Sequence, residues 1–421
     1  MAQSHAPARH DHDSAEGLLS VDEARQRVLS RIRPLAPIEL PLQETHGCVL
    51  AQDVVAGSQL PPFSSSAMDG FAVRSTDVAG AGESFPVELR VTGRALIGQR
   101  PEGTVGAREA IQIATGAPIP AGADAIVPIE NCETEGSSVR VYVAPPPGKH
   151  VRPAGEDVKQ GDLLVPAGRR LGAPEMGLLA AAGHARALTH PRPRVVVLST
   201  GDELVEPGKP LEFGQIPDSN SFTLLGALRE AGAVPYPAGI VRDDVDQLKE
   251  TILSHHSQAD AFISSGGVSM GQRDVVKAAF FRHGDLDFFK VAMQPGMPQA
   301  FGLMEGKPYW GLPGNPVSVF ASFEVFIRPS IMKLMGRTEL FRPEIRARLS
   351  ADVSGPAAKT VFARVLVRAT AEGRVAEPTG GRGSNLISTV VRANGLAIIP
   401  PGVETARVGE EVRVMLFRSA E

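Results

Sequence analysis

The sequence predicts a multidomain fold of α/β plus β class, with a parallel-sheet α/β unit between strand-rich units. Three observations predict it. Between Arg194 and about Gly336, strand and helix patterns alternate, which is the grammar of a parallel sheet with right-handed crossovers. On either side, helical periodicity gives way to short apolar runs punctuated by 44 Gly and 35 Pro. The chain of 421 residues is also too long for one core, at about 100–200 residues per domain.

The elements follow in order. The first 17 residues carry nothing apolar enough to order them, and read as a solvated tail despite His5, His10 and His12. Ser20 and Glu23 fit a capping box ahead of an apolar stripe at Val21, Ala24, Val28, Leu29 and Ile32, and Pro34 and Pro37 end that helix. From Val54 to Val151, runs such as Val87–Val91, Ala110–Ala114, Ala125–Ile129 and Val139–Val143 read as a small β domain closed by Ala144–Gly148. A short strand at Leu163–Val165 and a helix at Glu175–Ala182 precede Pro191 and Pro193.

Val195–Leu198 is a β-branched run and reads as a buried strand. Helices are expected at Asn220–Ala231, stopped by Gly232, at Asp243–His256, at Asp274–Arg282 and at Val317–Met335. Strands are expected at Ala233–Ile240, Ala261–Ser264, Phe288–Met293, Ala300–Leu303 and Tyr309–Leu312. From Arg342, alternation at Glu344–Ala351, Val361–Ala369 and Glu411–Phe417 reads as an all-β unit, a small barrel.

Composition narrows the function. A net charge of −4 gives no general attraction to nucleic acid or acidic membranes, so any anion site must be local. Two cysteines make neither a disulfide framework nor a cysteine-rich zinc site. With no bilayer-length apolar run and no signal-peptide pattern, a cytoplasmic protein is expected.

Ligands of a parallel α/β sheet sit outside the carboxyl ends of its strands. Three Gly-rich polar loops leave those ends: Ser199–Glu203, Ser264–Gly271 and Leu312–Pro316. Any one of them alone reads as a tight turn; three at one sheet edge point to a phosphate or nucleotide site. Gly266, Gly267, Ser269, Pro313, Gly314, Asn315 and Pro316 are its candidate binding residues. Neither a Walker A run nor a G-x-G-x-x-G after a strand is present, which argues against P-loop or plain NAD chemistry.

Asp202, Glu203, Asp243 and Asp274 fall on the same edge. Carboxylates lining an anion site repel the ligand unless a cation bridges them, a role that suits Mg²⁺. Asp243 and Asp274 also fit the plainer role of helix-start residues facing the dipole. With nine Lys against 34 Arg, Lys290 in Phe288–Ala292 is either a snorkelling edge-strand lysine or a buried anion ligand.

Further loops carry small polar residues: Ser64–Gly70, Ala114–Pro118 and Gly155–Asp157. The segments SSSAMDGFAV, IATGAPIPAGADAIVPIE, RPAGEDV, VLSTGDEL, DSN (Asp218–Asn220), IVRDD, ISSGGVSMG and GLPGNPVS occur in that order. Over residues 18–418 the chain resembles the molybdopterin molybdenumtransferases, the MoeA and gephyrin E-domain family.

The resemblance implies a discontinuous elongated domain (18–53 and 154–186), an inserted β-rich domain (54–153), an α/β molybdopterin-binding domain (187–336) and a C-terminal β-barrel (337–421). It implies a homodimer whose cleft is shared between subunits, and transient contact with a molybdopterin adenylyltransferase. The implied reaction is insertion of molybdate into adenylated molybdopterin, with Mg²⁺ assisting and AMP leaving. Carried over by motif, Asp69, Thr115, Asp157, Asp202, Glu203 and Lys290 fall at catalytic positions. Glu203, Asp243 and Asp274 fall at metal positions, and Arg364 and Ser384 at positions that handle the oxyanion.

One departure from the family pattern is plain: where many members have K-P-G-K-P, this chain reads Gln294-Pro295-Gly296-Met297-Pro298 and lacks two positive charges. Weaker oxyanion binding is expected from their loss. A gephyrin-like binding scaffold and an Mg²⁺-dependent nucleotide hydrolase are the competing readings.

Overall fold

The computed structural model describes residues 17–267, 284–381 and 383–419. Ser269, Asp274 and the helix expected at Asp274–Arg282 lie outside the described residues. The first helix runs Val21–Ser30 and begins at the Ser20/Glu23 capping box. Strands from either side of the first β-rich region pair with each other. Ile38–Pro41 and Val49–Leu50 pair with Arg186–His190, and Val54–Val55 pairs with Leu163–Val165. Between them, a six-stranded sheet includes Gly70–Val73, Val87–Ala95, Glu109–Ile113 and Ala125–Pro128.

The central sheet has seven strands, in the order Leu18–Leu19, Gly284–Val291, Pro298–Met304, Lys307–Leu312, Ala261–Ser265, Arg194–Thr200, Val234–Val241. The last four are mutually parallel. The sheet is mixed, not purely parallel, because Gly284–Val291, Pro298–Met304 and Lys307–Leu312 run antiparallel in succession. Only Glu305 and Gly306 join the last two, and a two-residue connection reaches only an antiparallel neighbour. Lys290 therefore lies on a strand paired on both sides, with Leu18 and Pro298, and is not on a sheet edge.

Side-chain alternation divides the core. Val195, Val197, Ile263 and Trp310 pack with helix Asn220–Ala231 and the helical run 316–334. Val196, Leu198, Phe262 and Tyr309 pack with helix Val245–His255 on the other face. Gly232, at φ +94°, ends Asn220–Ala231.

The run expected at Val317–Met335 is Pro316–Ser322, a π-helical turn at Phe323–Ile327, and Arg328–Leu334. Pro329 has no N–H for the i→i−4 ladder, and the wider turn accommodates the loss.

Five C-terminal strands close a barrel: Thr360–Thr370, Gly373–Pro378, Glu344–Leu349, Glu411–Leu416 and Gly395–Ile399, which pairs back with the first. The periodicity reading missed the short helix Ile387–Val391. An apolar cluster of Val291, Met293, Val325 and Phe326 with Phe362, Leu396 and Phe417 fixes the barrel to the α/β unit. The buried Glu324 carboxylate, held by Arg342 Nε at 2.9 Å and Nη2 at 3.0 Å, reinforces the junction.

Candidate active site

Register aligns the carboxyl ends of the parallel strands. Thr200 lies opposite Val241, Ser199 opposite Ser265, and Ser265 opposite Leu312. The loops that follow therefore leave one edge together. Gly266 sits at φ +91° with its N–H donating to Leu312 O at 3.0 Å. A Cβ built on Gly314 would have Gly266 Cα as its nearest neighbour, at 4.0 Å. The two glycine turns are adjacent, and both Gly314 and Asn315 are exposed.

A buried polar layer supports these turns. The Ser199 hydroxyl lies 2.9 Å from that of Ser265 and 3.1 Å from that of Ser221. Ser221 Oγ donates to the buried Asp218 carboxylate, which also accepts the Ser221 N–H at 3.1 Å. Asp218 thereby satisfies one of the orphan donors at the start of helix Asn220–Ala231, where Ser219 makes no side-chain cap. Asn220 Nδ2 donates to Gly314 O at 2.7 Å and ties this helix to the Pro313–Pro316 turn. Asp218, Ser221 and Asn220 are absent from the candidates drawn from sequence. The signal was there in the Asp-Ser-Asn triplet ahead of an apolar helix.

Arg242 Nη1 donates to Asp202 O at 3.1 Å, and the Asp243 N–H lies 3.4 Å from Asp202 Oδ1. Helix Val245–His255 is capped by Asp244, which accepts from the N–H groups of Asp246 and Gln247. The helix-start explanation therefore belongs to Asp244, and Asp243 is left over. Asp243 is largely solvent-facing, yet partial burial, and then the charges of Asp202 and Glu203, push its carboxyl above the usual range.

A carboxyl raised in the folded state resists ionisation there, so stability falls as pH rises through its range. Among the described residues, no three His, Cys, Asp or Glu side chains are placed to hold a metal ion. A cation at these carboxylates would need oxygens of a bound phosphate to complete its ligands.

Two further places hold the remaining candidates. Asp69 Oδ1 accepts the Thr115 N–H at 2.8 Å, and Asp69 lines a cavity of about 200 Å³ with Arg94 and Gln112. Asp157 lies on another loop, exposed, with its N–H donating to Leu60 O at 3.0 Å, and is not among that cavity's lining residues. Among the described residues, no hydrogen bond or ion pair joins these three to the sheet-edge loops.

Arg364 is buried in the barrel, where its Nε donates to Thr389 Oγ1 at 3.1 Å and its Nη2 to the carbonyls of Gly381 and Gly383. Much of its donor capacity is thus spent holding the loop that carries Ser384. Ser384 O in turn accepts the Val317 N–H at 2.9 Å, so the barrel loop docks on the helix that follows Pro313–Pro316.

Arg364 also lines a cavity of about 210 Å³ with Gln294, Asp352, Ser354 and Gly381. Gln294 Oε1 is buried there without a hydrogen-bond partner among the described residues. Met297, the other departure from the family pattern, is not among the lining residues. Gln294→Lys is accordingly expected to lower the molybdate concentration for half-maximal turnover by about tenfold, and Met297→Lys to leave it unchanged. Titration of each variant with molybdate checks this.

Family comparisons agree along the chain. Residues 19–183 match the MoeA N-terminal region (domain I and II), residues 196–333 a probable molybdopterin binding domain, and residues 346–417 the MoeA C-terminal region (domain IV). A molybdopterin molybdenumtransferase 2 of Mycobacterium tuberculosis is 42% identical over 401 residues, covering 94% of this chain and 98% of the relative. A molybdopterin molybdenumtransferase of Haemophilus influenzae is 34% identical over 404 residues, covering 95% and 99%. The crystal structure of a molybdopterin biosynthesis MoeA protein from Pyrococcus horikosii matches with a TM-score of 0.81 at 33% identity, covering 96% of this chain and 100% of that one.

Proposed function

The chain belongs to the molybdopterin molybdenumtransferases, enzymes of molybdenum-cofactor biosynthesis, and on that premise we propose that it inserts molybdate into adenylated molybdopterin with Mg²⁺ assisting and AMP leaving. The observation that carries the finer reading is the sheet edge. There, two glycine turns suited to phosphate adjoin an acidic set whose Asp243 carboxyl is held above its usual range.

Gly267, Gly314 and Asn315 offer backbone N–H groups that bind and orient the phosphate-bearing substrate, while Gly266, whose N–H is spent on Leu312 O, and Pro313 and Pro316 shape the two turns. Glu203, Asp202 and Asp243, with Asp274, hold the cation. When bound, Mg²⁺ offsets repulsion between carboxylates and phosphates and stabilises charge on the departing AMP. Lys290 supplies a positive charge from the same sheet. The oxyanion enters the cavity of Gln294 and Arg364, and Arg364 positions the Ser384 loop against the substrate turn. Asp69, Thr115 and Asp157 act in the cleft of the partner subunit, so that a cytoplasmic homodimer is the working unit. A molybdopterin adenylyltransferase hands over the substrate by transient contact. Among the described residues, no helix is long and apolar enough to cross a membrane.

Incubation with adenylated molybdopterin, Mg²⁺ and molybdate is expected to yield AMP and active cofactor. Release of AMP from simple nucleotides at the same rate would sink this reading. Mixing Asp69→Asn and Glu203→Gln subunits, each strongly slowed alone, is expected to restore part of the activity through heterodimers with one intact cleft. Verified subunit exchange without recovery would place each site within one chain.

A further inference from the structure

Asn220 is 8% exposed, and its Oδ1 is buried without a hydrogen-bond partner among the described residues. Its other amide atom, Nδ2, donates to Gly314 O at 2.7 Å. That contact fixes the orientation of the amide, since the flipped form would set two acceptor oxygens against each other at the same distance. The unanswered acceptor therefore belongs to the amide that holds the Gly314 turn, itself adjacent to Gly266. A buried acceptor left unpaired costs free energy, and beside a substrate edge a bound ligand's donor is one way to meet that cost.

The chemistry of the donor narrows the ligand. Phosphate and molybdate oxygens at neutral pH are acceptors, and an acceptor facing them is repelled. A heterocycle bearing N–H groups, pterin or purine, supplies what Oδ1 lacks. We propose that Asn220 is a specificity-determining substrate contact, accepting a hydrogen bond from a ring N–H or amino group of the bound heterocycle while its Nδ2 tethers the Gly314 turn. This rests on the reading that the substrate occupies the sheet edge. It gives one side chain two duties: polar recognition of the base and placement of the turn that meets the phosphates.

The test uses the full chain and two probes, molybdopterin and AMP, each titrated against wild type, Asn220→Ala and Asn220→Asp, with the melting temperature of each variant. Asn220→Ala is expected to lose roughly tenfold to a hundredfold in affinity for one probe, and the probe affected identifies the heterocycle. Asn220→Asp keeps an acceptor but sets a charged oxygen against the Gly314 carbonyl in place of the amide donor, so its melting temperature is expected to fall while its affinity for that probe falls less than that of Asn220→Ala. Equal losses in the two variants would mean that Asn220 acts only through the Gly314 tether, and would overturn the proposal. Unchanged affinity of Asn220→Ala for both probes would mean that water answers Oδ1, and would overturn it equally. If Asn220→Ala does not fold, Asn220→Ser is read in its place. Failure of wild type to bind either probe would instead overturn the sheet-edge reading beneath the proposal.

Discussion

Glu203→Gln is expected to slow AMP release by roughly a hundredfold to a thousandfold, the scale seen when one preorganised electrostatic contact to a transition state is removed. The side chain is exposed on the turn after Thr200, so the melting temperature is expected to stay within about 2 °C of wild type. Glutamine keeps the shape and removes one charge. That charge is also one of the two that raise the Asp243 carboxyl, after partial burial. The variant should therefore bring Asp243 down towards its ordinary range, and pH titration of Asp243 by NMR reads this directly. Asp243→Asn is expected to be slow in the same way, and excess Mg²⁺ to rescue either variant in part where excess molybdate does not. Rapid-quench assay of AMP decides the matter: wild-type rates in both variants, on folded protein, would reduce the acidic set to a surface feature and favour the scaffold reading.

Gly266→Ala carries the second large effect. The backbone there is at φ +91°, and an added Cβ would lie 2.4 Å from the carbonyl oxygen of Thr200. That oxygen belongs to the neighbouring strand and has little freedom to retreat. Strain and overpacking together are expected to cost about 2–4 kcal/mol, read as a lower urea midpoint at unchanged slope. Turnover should fall as well, because Thr200 leads into the loop that carries Asp202 and Glu203. Gly314→Ala is the control. Its nearest neighbour would be 4.0 Å away, so stability should change by less than about 1 kcal/mol. A Gly266→Ala chain as stable as wild type would mean that the turn relaxes freely and is not a rigid part of the site.

Local chemistry announced much of this molecule. The apolar period and a capping box marked Val21–Ser30, the Val195–Leu198 run marked a buried strand, and Gly232 marked the end of a helix. Each is decided by residues within a turn or a strand of one another, so the sequence carries it. The same holds for the Gly-rich loops and their acidic neighbours, which were legible as candidates because residue type constrains what a turn can bind.

What tertiary structure alone decided is which of these residues meet. Periodicity carries no strand direction, so the antiparallel hairpin at Glu305–Gly306 emerged only with the assembled sheet. The cap of Val245–His255 passed to Asp244 and left Asp243 to the charges of Asp202 and Glu203, a choice made by backbone dihedrals one residue apart. Arg364 and Gln294, 70 positions distant in sequence, share a cavity because the barrel docks on the α/β unit. Asn220, unremarkable in sequence beyond its triplet, is set apart by a buried oxygen with nothing to accept. Burial, register and pairing are properties of the packed chain, and a hydrogen-bond acceptor becomes conspicuous only when water has been taken away from it.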